Sequence, residues 1–238
     1  MPTDLGTPPT LMTVVRKLAR RYGPSKGLPT SGAFELVLWE NVAYLADDEQ
    51  RSKAFALLKE RVGTTPKEVL KAPDAALRAV AGHGILASRS AEKLREAARI
   101  AVEEFDGDLD RVVAGPVPAA RKALRRFPGI GNPGAEKILL FLRRHPSLAA
   151  ESNGLRVLTR VGLCRDEKSF AATYAAACDL AERELGDDVD VLMTAHRLLR
   201  QHGQELCRRS APACELCPLR QECRYYARSL ESSRRRPV

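Results

Sequence analysis

Aromatic residues are scarce in this sequence, and no apolar run approaches the roughly 18 residues that a membrane-spanning helix needs. Phe, Tyr and Trp make up 5% of the chain, and there is a single Trp. The first ten residues are polar and proline-rich, without the charged and then apolar layout of a secretory signal peptide. We therefore expect neither a membrane protein nor an exported one, but a cytoplasmic, nucleoid-associated protein with reduced thiols.

The sequence also lacks the alternating apolar pattern of a β-strand. Apolar residues recur at helical spacing, and Ala, Leu, Arg and Glu dominate, which favours an all-α fold. Helices are expected over residues 11–21, 33–46, 48–62, 74–81, 88–105, 118–126, 133–144, 152–161, 169–185 and 189–202, with a further start at Thr65-Pro66. Beyond residue 203 the pattern gives way to a cysteine-rich segment and a basic tail.

Acidic residues are outnumbered, and the formal net charge is +9. Positive charge gathers at the end of the chain, where residues 197–238 hold ten Arg against four Glu. A basic protein of this kind prefers an acidic partner, and nucleic acid is the commonest one. The alternative is charge that serves solubility alone.

Four cysteines fall within 17 residues, with the spacing C-x6-C-x2-C-x5-C. A reducing compartment disfavours disulfides. Structural zinc uses two short knuckles, and only one such pair is present here. Unequal, wider loops suit a [4Fe-4S] cluster, with zinc as the alternative. The expected ligands are Cys207, Cys214, Cys217 and Cys223. Cys164 and Cys178 lie on apolar helix faces and are expected in the core.

The cluster is expected to have a structural role rather than a redox one. It would fix the loop that follows Cys207, so that Arg208 and Arg209 can contact phosphates at little extra ordering cost.

Phe127-Pro128-Gly129-Ile130-Gly131 joins two predicted helices. Two glycines around one apolar residue allow a tight turn whose amides lead into a helix N-terminus, which attracts phosphate. Asn132 is expected to cap that helix, with Pro133 as its first residue. The predicted phosphate contacts, which would be DNA contacts if the acidic partner is DNA, are Gly129, Ile130, Gly131 and Asn132. An ordinary helix–helix connection is the alternative.

The helix–Pro-Gly-Ile-Gly–helix segment, an acidic residue about 20 positions further on and the cysteine spacing together resemble a known family. They are similar to the endonuclease III and mismatch adenine glycosylase branch of the helix-hairpin-helix DNA glycosylase superfamily. The resemblance implies two helical domains with a DNA-binding groove between them. A six-helix domain would span 33–145, with the hairpin motif at 118–144. A cluster domain would combine 1–32 with 146–225, and 226–238 would be a disordered basic tail.

The resemblance implies a monomer that binds double-stranded DNA containing a damaged or mismatched base. Family members with lyase activity carry a lysine where this chain has Pro133, which has no amine for a Schiff base. Lys137, one turn further along, is interpreted as a solvated helix charge, with substitution for the missing lysine as the alternative. A monofunctional glycosylase that uses water is therefore expected.

Two carboxylates match catalytic positions of the family. Glu151 stands where the family has an aspartate that stabilises positive charge on the deoxyribose and orients water; the alternative is an acid favoured by the helix dipole. Glu40, in an otherwise apolar helix, matches a glutamate that protonates a departing purine. The alternative for Glu40 is a solvent-facing or salt-bridged residue. A non-catalytic DNA-binding protein with the same fold is the rival function.

Base flipping needs a side chain that fills the vacated stack. Leu45 and Leu86 fall near the wedge loops of the family, although a core position is the favoured interpretation for each.

Overall fold

The computed structural model of the chain describes residues 9–24, 27–30, 32–43 and 46–234. Those ranges contain α-helices and two 3-10 turns but no β-strand, so the predicted all-α class is confirmed. None of the described helices is long and apolar enough to cross a membrane. The helices are α1 Leu11–Tyr22, α2 Ala33–Asn41, α3 Asp48–Arg61, α4 Pro66–Lys71, α5 Asp74–Ala81, α6 Ala87–Phe105, α7 Leu109–Val113, α8 Val117–Leu124, α9 Asn132–Phe141, α10 Ser152–Val161, α11 Phe170–Leu185, α12 Val189–Glu205 and α13 Arg224–Arg234.

The chain divides into two compact helical units. The central unit is Gly27–His145 and holds α2 to α9. The terminal unit joins Met1–Lys26 to Pro146–Val238 and holds α1 and α10 to α13. The first boundary therefore lies at residue 27 rather than at the expected residue 33.

Helix α2 forms the middle of the core in the central unit. Phe34, Leu36, Val37, Leu38 and Trp39 are all buried, because α6, α7 and α9 pack around the helix. A helix that is apolar on nearly every side can only lie inside a core.

The partly buried carboxylate of Glu35 connects α2 to the neighbouring loops through hydrogen bonds. Thr64 Oγ1 donates a hydrogen bond to Glu35 Oε1 at 2.6 Å, and Thr30 Oγ1 donates to Oε2. Lys59 Nζ lies 3.6 Å from Oε1. Burial raises the pKa of Glu35, but the two hydroxyl bonds and the lysine charge outweigh burial and leave that pKa below 4.5.

Several predicted helix starts follow from side-chain caps. The Asp47 carboxylate accepts a hydrogen bond from the Gln50 amide and begins α3. Thr65 and Glu68 form a capping box at α4, with Pro66 in the first turn.

Other elements differ from expectation. Helix α2 ends at Asn41 rather than Ala46. The side-chain amide of Asn41 donates a hydrogen bond to the Val37 carbonyl oxygen. Helix α9 ends at Phe141 rather than Arg144, because Arg143 adopts a φ of +58° that a right-handed helix cannot continue. The short helix α7 was not expected.

Helices α10 and α12 pack closely in the terminal unit. A Cβ on Gly203 of α12 would lie 2.5 Å from the Asn153 carbonyl oxygen, and one on Gly154 would lie 3.5 Å from Leu199 Cβ. Glycine at 203 is therefore what lets the start of α10 approach α12.

The end of the chain is more ordered than expected. Residues 226–238 were predicted to be a disordered tail, but α13 runs from Arg224 to Arg234, so that prediction is wrong for most of the segment. Residues 235–238 lie outside the described ranges.

Candidate functional site

The predicted hairpin joins α8 to α9. Gly129 has a φ of +74°, and a Cβ there would lie 3.0 Å from Asn41 Oδ1, so the turn requires glycine at this position. The cap of α9 is Gly131 rather than the expected Asn132, which is instead the first helical residue.

The hairpin divides into a buried anchor and an exposed rim. Ile130 is 5% exposed, and its amide donates to the Phe127 carbonyl at 3.2 Å, so its side chain holds the turn to the core. Gly129, Gly131 and Asn132 are exposed. Gly131 and Asn132 lie at the N-terminus of α9, where the helix dipole favours an anion.

Lys137 on α9 is not the solvated charge that was expected. Its side chain is 11% exposed, and its Nζ donates to Glu40 Oε2 at 2.5 Å. The Glu40 side chain is 17% exposed. Glu40 is therefore salt-bridged to Lys137, as the alternative interpretation has it.

Glu151 occupies the N-cap position of α10, but its side chain does not cap the helix. Asn153 Nδ2 donates to Glu151 Oε1 at 2.8 Å, and Arg200 Nε lies 3.2 Å from the same oxygen. The Asn153 side chain of α10 and the Arg200 side chain of α12 thus fix the carboxylate together. The dipole of α10 adds to the positive field around it.

A chain of hydrogen bonds runs from Glu151 to the cysteine segment. Arg156 donates to Asn153 Oδ1 at 2.7 Å, to the Gly203 carbonyl at 2.7 Å and to the Cys207 carbonyl at 2.7 Å. Because Oδ1 of Asn153 accepts from Arg156, its Nδ2 must face Glu151.

The four predicted cysteines come together around one cavity. The cavity is lined by Arg160, Leu206, Cys207, Pro212, Cys214, Cys217, Arg220, Cys223, Tyr225 and Tyr226. Within the described ranges, no three His, Cys, Asp or Glu side chains converge closely enough to hold a metal ion. Four cysteine sulfurs around one cavity are the ligand set that a [4Fe-4S] cluster uses.

Polar groups around the cysteines suit thiolate ligands. The Leu219 amide donates to Cys217 Sγ at 3.4 Å, and an Arg160 guanidinium N–H donates to Cys207 Sγ at 3.5 Å. Burial raises the pKa of Cys217 to about 11 and also raises those of Cys214 and Cys223. Because burial disfavours the anionic form, thiolates at these positions would need a bound cation to offset their charge.

His202 connects this site to α1. Burial lowers the pKa of His202 to about 4, so the ring is neutral at physiological pH. Tyr22 Oη lies 2.9 Å from its Nδ1, and Cys217 Sγ lies 3.4 Å from its Nε2. A thiolate at Cys217 would require the proton on Nε2, with Tyr22 donating to Nδ1.

The loop after Cys207 is held through its backbone. Arg160 donates to the carbonyls of Arg208 at 2.7 Å and Arg209 at 3.1 Å, and its guanidinium lies 4.3 Å from the Tyr225 ring centre. Arg208 and Arg209 are both exposed. The Arg208 guanidinium donates to the Ala211 carbonyl at 3.0 Å and so caps its own loop.

Leu86 is not a core residue, contrary to the favoured interpretation. It is 54% exposed, with a φ of +58°, and the neighbouring Ile85 is 55% exposed. Leu45 lies outside the described residues.

The sequence missed Arg156, Arg160 and Arg200 as parts of the site. Only their positions in the sequence could have indicated these arginines. Arg200 interrupts the apolar run after Leu198 and Leu199. Arg156 and Arg160 are four residues apart and therefore share one face of α10.

No protein-family model matches the chain. An Endonuclease III of Rickettsia conorii is 32% identical over 112 residues, which are 46% of this chain and 49% of that protein. The chain thus spans about half the length of that curated relative. An Endonuclease III of Rickettsia felis is 25% identical over 205 residues, which are 85% of this chain and 88% of the relative.

Two solved structures share the fold. The structure of a non-covalent Endonuclease III–DNA complex has a TM-score of 0.73 at 19% identity and covers 94% of this chain and 99% of its own. The structure of a thermostable thymine-DNA glycosylase has a TM-score of 0.69 at 18% identity and covers 92% and 97%, respectively.

Proposed function

We propose that this chain, which belongs to the helix-hairpin-helix superfamily of DNA glycosylases, is itself a DNA glycosylase of base excision repair. It would bind double-stranded DNA as a monomer, flip a damaged or mismatched base and remove it by hydrolysis. The observation that carries the proposal is the Glu151 carboxylate, fixed at the start of α10 by Asn153 and Arg200. The proposed location is the cytoplasm, at the nucleoid.

In the proposed reaction, the bond between base and deoxyribose breaks and its electron pair leaves with the base. Glu151 stabilises the positive charge that develops on the sugar and takes a proton from the water that adds to it. A carboxylate held by fixed donors needs no rearrangement when that charge appears, which is what electrostatic catalysis requires.

Glu40 would protonate the departing base, and a purine is the favoured substrate. Lys137 Nζ lies 2.5 Å from Glu40 Oε2, so the Glu40 carboxyl would have to take up a proton before it could protonate the base. A base leaves as a neutral molecule once it is protonated.

Lyase activity is not proposed. Pro133 carries no amine, and the Lys137 amine is engaged by Glu40 rather than available as a nucleophile.

DNA would be held by the exposed rim of the hairpin and by the loop after Cys207. The amides of Gly131 and Asn132 suit one phosphate, and Arg208 and Arg209 suit others. Leu86, exposed on its loop, would fill the stack that the flipped base leaves.

Cys207, Cys214, Cys217 and Cys223 would hold a [4Fe-4S] cluster, whose iron compensates the buried thiolates and thereby fixes the loop of Arg208 and Arg209. Purified protein should be brown and contain about four irons per chain. A colourless protein loaded with zinc would contradict this assignment.

The test of the activity is a panel of duplexes, each with one alkylated purine, deaminated base or mismatch. We expect strand cleavage at one lesion class only after alkali treatment. Glu151→Gln should slow base release by about 10²–10³-fold. Glu182→Gln, an exposed acid on α11, serves as the matched control and should keep wild-type activity.

Two outcomes would contradict parts of the proposal. Binding without base release across the whole panel would favour the non-catalytic DNA-binding alternative. Strand cleavage without alkali, together with a borohydride-trapped protein–DNA adduct, would show an amine nucleophile and contradict the hydrolytic mechanism.

A further inference from the structure

Arg200 is a buried cation on α12. Its side chain is 11% exposed and follows the buried Leu198 and Leu199. A guanidinium in such surroundings is stable only with a partner that offsets its lost hydration. Glu151 Oε1, 3.2 Å from Arg200 Nε, is that partner, and Gln204 Oε1 lies 3.4 Å from another guanidinium nitrogen.

The Glu151 carboxylate receives two donors from different elements. Asn153 and Arg200 both reach Oε1, so the rotation of the carboxylate is fixed from the α10 side and from the α12 side. Asn153 is itself oriented by Arg156. A glutamate has one more rotatable bond than an aspartate, and its carboxylate therefore needs more anchors to stay in one place.

We propose that Arg200 is a positioning residue that holds Glu151 where it acts on the positively charged sugar. This inference rests on the proposed role of Glu151. Arg200 does not touch the substrate; it acts through the carboxylate, whose orientation depends on both anchors.

The alternative is that the Arg200–Glu151 ion pair only stabilises the fold. The two roles predict opposite changes in the affinity for a positively charged ligand when Arg200 is removed. Through space, the Arg200 cation repels another cation, so its removal alone strengthens binding of a positively charged ligand. If Arg200 positions Glu151, its removal must instead weaken that binding.

The test uses two duplexes that differ only in one abasic analogue, a cationic pyrrolidine or a neutral tetrahydrofuran. The measured quantity is the ratio of their dissociation constants for the full chain, determined by fluorescence anisotropy at one fixed salt concentration. We expect wild type to prefer the pyrrolidine by about tenfold or more, which corresponds to about 1.4 kcal/mol. Arg200→Met should bring the ratio to within about threefold of unity, with the tetrahydrofuran affinity changed less than about twofold.

A double variant checks the route of the effect. In a Glu151→Gln background the preference should already be lost, and adding Arg200→Met should change the ratio by less than about twofold. A further fall in that background would show that Arg200 acts elsewhere, and would overturn the inference.

The remaining outcomes are equally decisive. A ratio for Arg200→Met that equals or exceeds that of wild type overturns the positioning role while the role of Glu151 stands. A wild type without any preference overturns the role of Glu151 and this inference with it. If Arg200→Met does not fold, the neutral and polar Arg200→Gln replaces it; a lowered ratio supports the inference and a wild-type ratio overturns it.

Discussion

Replacing Lys137 by methionine should destabilise the central unit far more than its position on a helix surface would suggest. The Lys137 and Glu40 side chains are 11% and 17% exposed, with 2.5 Å between Nζ and Oε2. Methionine keeps most of the volume of the lysine stem, so packing changes little. What changes is that the Glu40 carboxylate loses its adjacent cation.

The expected loss can be worked out from this burial. Removal of one partner from a buried ion pair costs about 3–5 kcal/mol, and the slight exposure of this pair favours the lower end. With a urea slope of about 2 kcal/mol per molar, a loss of about 3 kcal/mol moves the unfolding midpoint by about 1.5 M. The double variant Lys137→Met/Glu40→Met removes both charges and should lie close to wild type or above it.

Fluorescence of Trp39 provides the assay. It is the only Trp in the chain, it is 6% exposed, and it lies on α2 next to Glu40, so it reports unfolding of the central unit. The matched control is Lys53→Met, which breaks an exposed pair with Glu49 and should leave the midpoint within error.

Equal midpoints for the single and the double variant would refute the reasoning, because they would show that water already screens the Glu40 charge.

Three further variants test other parts of the structure. Thr64→Val removes a hydrogen bond that lowers the pKa of Glu35. That stabilisation is present above the unfolded pKa of about 4.5 and is lost as the pH falls through the folded pKa. Urea titrations should therefore show a cost of about 1 kcal/mol at pH 7 that shrinks as the pH falls below about 4.5. Gly203→Ala puts a methyl group 2.5 Å from the Asn153 carbonyl and should lower stability by about 1–3 kcal/mol in thermal unfolding; an unchanged midpoint would show that α10 and α12 move apart freely. Cys214→Ala should reduce bound iron below wild type on elemental analysis, and full iron content would exclude this cysteine as a ligand.

Local features of the fold could be predicted because their causes are local. Helices Asp74–Ala81 and Ser152–Val161 have the expected bounds, since each is followed by a glycine that ends the apolar pattern. The start of α4 at Thr65-Pro66 was also predicted correctly, because the capping threonine and the proline are adjacent in sequence. Helix α7 escaped prediction because its five residues hold only Leu109 and Val113 in the core, too few for a period.

The site could be predicted only where motifs bring residues together in sequence. The cysteine spacing and the hairpin glycines belong to this class. The pair Glu40–Lys137 joins residues 97 positions apart, so neither residue alone indicates the other. From the sequence alone Arg200 looks like an ordinary charged helix residue, and only the fold brings it next to Glu151. The buried arginines are thus tertiary features without a local sequence signal.

If Leu86 fills the vacated stack as proposed, stability and function favour different residues at this position. An apolar side chain that is 54% exposed gains little from folding, and a left-handed backbone costs a leucine about 1–2 kcal/mol that a glycine would avoid. Selection for a robust fold alone would therefore favour glycine or asparagine there. Leucine at this position lowers the free energy of unfolding, which is small in most proteins. Stabilising substitutions should therefore be sought at other positions, so that Leu86 is retained.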